Sequence, residues 1–214
     1  MSIIIIGAGA HGQNLATVFD AMAVPVVGFL DDTKPISTSV IGRPVLGGFA
    51  CLEQPGFAHG QSFAVGLGHP ARRLAVAARV IAAGGRVETA VHPLAALSPY
   101  AHVGVGCYVP AFCRISPGAR LGSGVLIESG TMIGFEAELG DGATLGLSVT
   151  VVARSQIGAG CFIGAGAVVG AVRIGAGCII GAGAAVVRDI PAGQRAYGVP
   201  ARPVGPADWS RSPV

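Results

Sequence analysis

The chain predicts an α/β domain of Rossmann-like type followed by a parallel β-helix of hexapeptide repeats. Three observations carry that reading. They are a six-residue period from Leu97 to Val169, a strand, glycine-rich turn, helix, strand order at the N-terminus, and one five-residue step late in the repeats.

Every sixth residue from Leu97 is aliphatic: Leu97, Val103, Val109, Ile115, Leu121, Ile127, Ile133, Leu139, Leu145, Val151, Ile157, Ile163 and Val169. With about half of an ordinary chain apolar, an unbroken series of that length is not expected by chance. Gly follows the aliphatic residue at 104, 122, 134, 140, 146, 158, 164 and 170. A small residue sits four places after it, as at Ala101, Cys107, Cys113, Ala119 and Ala137. A fixed period of six with one apolar and one small inward position is the hexapeptide signature. Each unit makes a short strand and a turn. The aliphatic side chain fills the core, the small one fits the corner, and Gly is expected where turns need conformations closed to other residues. After Val169 the core positions are Ile174, Ile180 and Val186, so one residue is missing. A turn of altered shape is expected between Gly170 and Arg173.

Residues 2–6 read as a buried strand, 13–23 as a helix, and 25–30 as a second strand ending in Asp31 and Asp32. Between the first two lies Gly7-Ala8-Gly9-Ala10-His11-Gly12, with G-x-G-x-x-G spacing. That order is half of a nucleotide-binding α/β fold, and its context strengthens an otherwise weak motif. A loop at 33–43, a short strand at 44–47 and a buried strand at 62–66 follow. Then Gly68-His69-Pro70-Ala71-Arg72-Arg73 opens a helix to about Ala83, before a last strand at 86–91. The N-terminus of that helix is a candidate phosphate site. The competing reading of His69, Arg72 and Arg73 is a surface loop and a solvated helix face. His92-Pro93 reads as a structural junction. The domain at 1–92 thus precedes coils at 93–205 and a tail at 206–214, expected to fray from Asp208.

Charged residues make up only 12% of the chain and mean hydropathy is +0.66, which invites a membrane reading. No run of about 18 purely apolar residues occurs, however, and the apolar residues keep the repeat period. They belong to a soluble core, so no membrane insertion is expected. MSIIIIGAGA reads as strand and turn rather than a signal peptide, and the expected compartment is cytoplasmic. Net charge is +3 with scattered arginines, which argues against a nucleic-acid partner. Cys107, Cys113, Cys161 and Cys178 occupy the small inward position and read as buried hydrophobes; Cys51 lies outside the coils. The coils offer only His102, so a three-His zinc site is not expected and no metal is assigned.

The GAGAHG turn, the His92-Pro93 junction, the coils and the closing Gly198-Val199-Pro200-Ala201-Arg202 together resemble a known family. These are the left-handed β-helix acyltransferases of nucleotide-linked amino sugars, with the sialic acid O-acetyltransferase-like group. The resemblance covers almost the whole chain. It implies a left-handed helix, a homotrimer, and acetyl-CoA as co-substrate between the coils of adjacent subunits. It also implies a nucleotide sugar on the small domain. Substrate contacts are implied at Gly7, Gly9, His11, Asp31, Asp32, Gly68 and His69. Acyl-CoA contacts are implied at Thr144, Gly164, Ala165, Gly170, Ala171 and Gly181. In the family a coil histidine, followed by an acid, takes the proton from the acceptor amine or hydroxyl during direct acyl transfer. A nearby donor holds the thioester oxyanion.

The family's coil segment resembles I-N-x-G-x-x-(V/I)-x-H-(D/E)-x-x-I-G-D. Here it reads Ile127-Glu128-Ser129-Gly130-Thr131-Met132-Ile133-Gly134-Phe135-Glu136-Ala137-Glu138-Leu139-Gly140-Asp141. Phe135 stands at the histidine position and Glu136 keeps the acid. A second family histidine corresponds to Thr144. A phenyl ring accepts no proton, so the base expected here is Glu136 or His11, and Phe135 is expected to stack on a sugar or acyl group. Three functions fit: an acyltransferase without the usual base, an acyl or formyl transferase with a rearranged site, and an inactive homologue that binds a ligand or a partner subunit.

Overall fold

The computed structural model describes residues 1–210. The small domain begins with β1 (Ile3–Ile6), four isoleucines buried on both faces between parallel neighbours. Then come α1 (Ala10–Ala21), β2 (Val26–Leu30), β3 (Ser39–Val40), β4 (Arg43–Gly47), β5 (Ser62–Val65), α2 (Pro70–Ala82) and β6 (Arg86–Val87). The sheet order is β3-β4-β2-β1-β5-β6, parallel except for the edge strand β3. Two local expectations need correction. The first helix starts at Ala10 rather than 13, so half of the glycine motif is already helical. The expected strand at 86–91 is two strands, and the second of them, Ala90–Val91, is the first strand of the coils. The coils therefore begin ahead of His92-Pro93.

The coils form a three-sided prism of two-residue strands. The first face runs from Ala90–Val91 through Tyr108–Val109, Leu126–Ile127, Thr144–Leu145, Phe162–Ile163 and Ile179–Ile180. The second runs from Ala96–Leu97 to Ala185–Val186, and the third from His102–Val103 to Arg173–Ile174. From Val109 to Val186 the second residue of each strand is buried, so the sixth-residue series is the core, while Leu97 in the first coil is exposed and Val103 half-buried. The small position serves hydrogen bonding as well as volume. Cys107, Thr131, Ser155, Cys161 and Cys178 each donate to a carbonyl on the next coil. The missing residue is absorbed at Gly170–Val172, where the Val172 N–H bonds to the Gly170 carbonyl at 2.7 Å. Pairing stays in register across it, with Gln156 opposite Arg173 and Ile157 opposite Ile174.

The periodic glycines have a different cause from the one expected. Gly164 and its equivalents do not have positive φ. A Cβ on Gly164 would instead press into the backbone of Ala182 on the next coil. The left-handed turn conformation falls two residues later, for example at Gly130 (φ 78°), and Glu136 also adopts it (φ 53°).

The tail is ordered as far as described. Gln194–Tyr197 and Arg202–Pro206 pair antiparallel on the first face. Trp209 packs edge-on against His69 with ring centroids 5.6 Å apart and donates to the Gly177 carbonyl. The tail therefore has packing contacts as far as Trp209, within the stretch expected to fray; residues 211–214 lie outside the described range. Among the described residues no helix is long and apolar enough to cross a membrane.

The small domain and the prism share a core. Leu15, Phe19 and Phe29 cluster with Ala90, Tyr108 and Leu126 of the first face. A second tie is Arg73, which is 2% exposed. Its guanidinium donates to the carbonyls of Leu67, Gly68, Gly124 and Gly142 and to Thr144 Oγ1.

Candidate active site

Gly7 takes φ 98°, and a Cβ on Gly12 would press into the Gly7 carbonyl, so the turn lies flat against the start of α1. Asp31 clamps this turn. Its Oδ2 accepts the Ala8 N–H at 2.7 Å, while Oδ1 accepts from the Thr33 N–H, the Thr33 hydroxyl and the Lys34 N–H. Burial would raise its pKa, but these hydrogen bonds outweigh it and hold the carboxyl below the usual value. Asp31 is therefore a bracket of the loop with its oxygens already engaged. Asp32 Oδ1 accepts the Phe49 N–H at 2.7 Å. Gly7, Gly9, His11, Asp31, Asp32 and Gly68 line one cavity of about 260 Å³, together with Thr33, Phe49 and Arg72. Six of the seven expected substrate contacts thus come together. His69 does not join them, because its ring is turned to Trp209. Of the two adjacent arginines, Arg72 faces the cavity and Arg73 is the buried interdomain tie.

His11 lines a second, larger cleft of about 810 Å³ over the first face. Its walls include Asn14 and Thr17 of α1 and His92, Tyr108, Glu128, Gly146, Gly164, Ala165 and Ala182 of the coils. His11 Nδ1 lies 3.3 Å from Glu128 Oε1, buried and without a well-aligned hydrogen bond. Such contacts are often poorly aligned before substrate arrives. Burial, and then the charge of Arg73, lower the pKa of His11, so its imidazole is neutral at pH 7. Burial raises the pKa of Glu128. Reading the sequence passed over Glu128, although the motif has Asn at that position.

Glu136 and Phe135 lie elsewhere, on the corner between the second and third faces. Phe135 is 44% exposed. Glu136 is exposed, and its Oε2 pairs with Arg154 Nε at 3.0 Å, with the guanidinium 5.9 Å from the Phe135 ring centroid. The expected acyl-CoA residues divide in the same way. Gly164 and Ala165 line the 810 Å³ cleft, and Gly181 lies on the same corner one coil on. Gly170 and Ala171 lie on the Phe135 corner, across the second face. Thr144 also lines the 810 Å³ cleft, and its buried hydroxyl accepts from Arg73. Among the described residues no His, Cys, Asp or Glu group is arranged to hold a metal ion.

Comparison with known proteins places these features in a family context. Residues 2–80 match the PglD N-terminal domain family, and residues 154–188 match the bacterial transferase hexapeptide repeat. The chain resembles PerB from Caulobacter crescentus, solved with CoA and GDP-perosamine, at 29% identity and a TM-score of 0.89, covering 96% of this chain and 98% of that one. It also resembles the acetyltransferase domain of PglB from Neisseria gonorrhoeae, solved with acetyl coenzyme A, at 28% identity and a TM-score of 0.70, covering 95% and 98%. WeeI from Acinetobacter baumannii AYE shares the fold at 22% identity and a TM-score of 0.65, covering 95% and 100%. No curated protein matches at a significant level.

Proposed function

We propose that this chain, a hexapeptide-repeat left-handed β-helix protein with a PglD-type N-terminal domain, transfers an acyl group from acetyl-CoA to the amine of a nucleotide-linked amino sugar. The carrying observation is that His11 lines both cavities, the one beside the glycine-rich turn and the cleft with the coil glycines. A nucleotide held by the first would present its sugar to the second. The solved relatives with CoA, GDP-perosamine and acetyl coenzyme A support that assignment of ligands.

In this reading the nucleotide lies against Gly7, Gly9 and Gly68, with Arg72 and the free oxygen of Asp32 as polar contacts. The pantetheine arm runs along Gly164, Ala165 and Gly181. The sugar amine attacks the thioester carbonyl, and neutral His11 takes up its proton. His11 is preferred to Glu136 because it faces both cavities, whereas the Glu136 carboxylate is already paired with Arg154.

The working unit is a homotrimer. Gly170 and Ala171 sit on a different corner from Gly164 and Ala165, so the full acyl-CoA set converges only between two copies. The second face supports this: Met132 and Val168 on it, Phe112 and Leu147 on one edge, and Phe135 and Val152 on the other are exposed apolar side chains. A surface of that kind marks an interface.

Purified protein, acetyl-CoA and a panel of nucleotide amino sugars test the proposal. Release of CoA thiol together with an acetylated sugar is the expected result. Phe135 favours a second reading, a homologue that binds these ligands without turnover. It predicts saturable binding of CoA and nucleotide sugar with no thiol release.

A further inference from the structure

We infer that Glu128 is the positioning partner of His11, and that this pair across the domain junction replaces the missing coil histidine. The inference rests on the acyl-transfer reading above. The pair combines a residue from the first turn of α1 with one that follows the inward Ile127 of the prism. Their side chains are 21% and 19% exposed and face each other at 3.3 Å in the wall of the 810 Å³ cleft. The coil segment departs from its motif twice in charge-bearing positions. Phe135 removes a proton acceptor, and Glu128 brings a carboxylate to the residue that faces His11.

Arg73 from α2, Glu88 beyond β6, and Tyr108 and His92 from the coils also face this region. Arg73 gives its donors to carbonyls and Thr144, and Glu88 accepts from the Ser62 hydroxyl at 2.7 Å. Burial, followed by the charge of Glu128, pushes the Tyr108 hydroxyl up, so it keeps its proton. Asp31, Asp32 and Arg72 share the 260 Å³ cavity with His11, but Asp31 has both oxygens on the turn and Asp32 holds the Phe49 N–H, so Glu128, at 3.3 Å, is the acid that faces Nδ1. Burial moves the proton affinities of the two groups toward each other, one down and one up.

The chemistry follows the orientation of a histidine by an acid. Nδ1–H donates to Glu128, which leaves the Nε2 lone pair to accept. An amino sugar reaches the site as an ammonium ion and must lose one proton before it attacks. His11 takes that proton, and the carboxylate stabilises the imidazolium. The amine nitrogen then bonds to the acyl carbon, the C–S bond breaks, and the second nitrogen proton goes to the departing thiolate. His11 returns its proton to solvent.

Glu128→Gln keeps the size of the side chain and removes its charge. The inference expects kcat to fall roughly 10- to 100-fold, part of what a general base contributes, while KM for acetyl-CoA stays within about 3-fold and thermal unfolding is unchanged. Nitrogen-15 NMR of labelled histidine, with His11→Asn for assignment, reads the pair without turnover. In the unsubstituted chain the Nδ1–H tautomer is expected. In Glu128→Gln the His11 titration moves to lower pH, because the imidazolium has lost its carboxylate. A titration that ignores Glu128→Gln overturns the pairing, whatever the turnover. No thiol release by the unsubstituted chain overturns the acyl-transfer reading, whatever the titration.

Discussion

Arg73 Nη2 donates to Thr144 Oγ1 at 2.9 Å, joining the second helix of the small domain to the first face of the prism. Among the described residues the buried cation has no carboxylate partner, and carbonyl dipoles supply its compensation. Burial lowers its pKa to about 10, so it remains charged at neutral pH. Arg73→Met is expected to lower stability by about 2–4 kcal/mol, since several buried acceptors at roughly 1 kcal/mol each lose their donor. Thr144→Val should cost about 1 kcal/mol. Chemical denaturation of both variants measures the difference.

Arg73 also acts on His11 through its charge. With the folded pKa below the ordinary value of 6.5, stability linked to His11 is present above pH 6.5 and is lost as pH falls below it toward the folded value. The same shift places the acid limb of kcat/KM below pH 6.5, because turnover needs neutral imidazole. Arg73→Met should move that limb upward. A pH profile of both proteins checks the sign.

Asp31 should behave as a structural residue. Asp31→Ala releases the Ala8, Thr33 and Lys34 N–H groups, with an expected loss of about 1–3 kcal/mol. Its folded pKa is lowered, so its stabilising effect is present above the ordinary value of 3.8 and is lost as pH falls through the folded value. Acid unfolding of the Asp31→Ala protein, compared with the unsubstituted chain, reads this directly.

Glu136→Gln should leave kcat within about 2-fold and cost less than about 1 kcal/mol, as for other exposed ion pairs. A large fall in turnover would instead return the base to the coil corner.

Met132→Lys puts a charge at the centre of the second face. The expected outcome is a fall in mass from three chains to one by light scattering, with loss of turnover because the acyl-CoA set is divided.

The prism was legible in the sequence because its period is local: Leu97 to Val169 repeats a single packing rule. The GAGAHG turn was legible through its order with β1, α1 and β2. Arg73 was harder, since Arg72 and Arg73 look alike as neighbours. The signal lay in the phase of α2, where Arg73 shares a buried stripe with Val76 and Val80. Glu128 was visible only as one altered letter in a motif. Its meaning depends on His11, which is distant in sequence and brought close by the packing of α1 on the first face. The packing of His69 on Trp209 was not legible, because Trp209 lies in a tail expected to fray.

The central claim is proton uptake by His11 during acyl transfer. Thiol release from acetyl-CoA, measured with the responding nucleotide amino sugar for the unsubstituted chain and for His11→Asn, tests it most directly. The account predicts turnover by the first and a loss of about 100-fold or more in the second. Equal rates for the two, or no release by either, would contradict it.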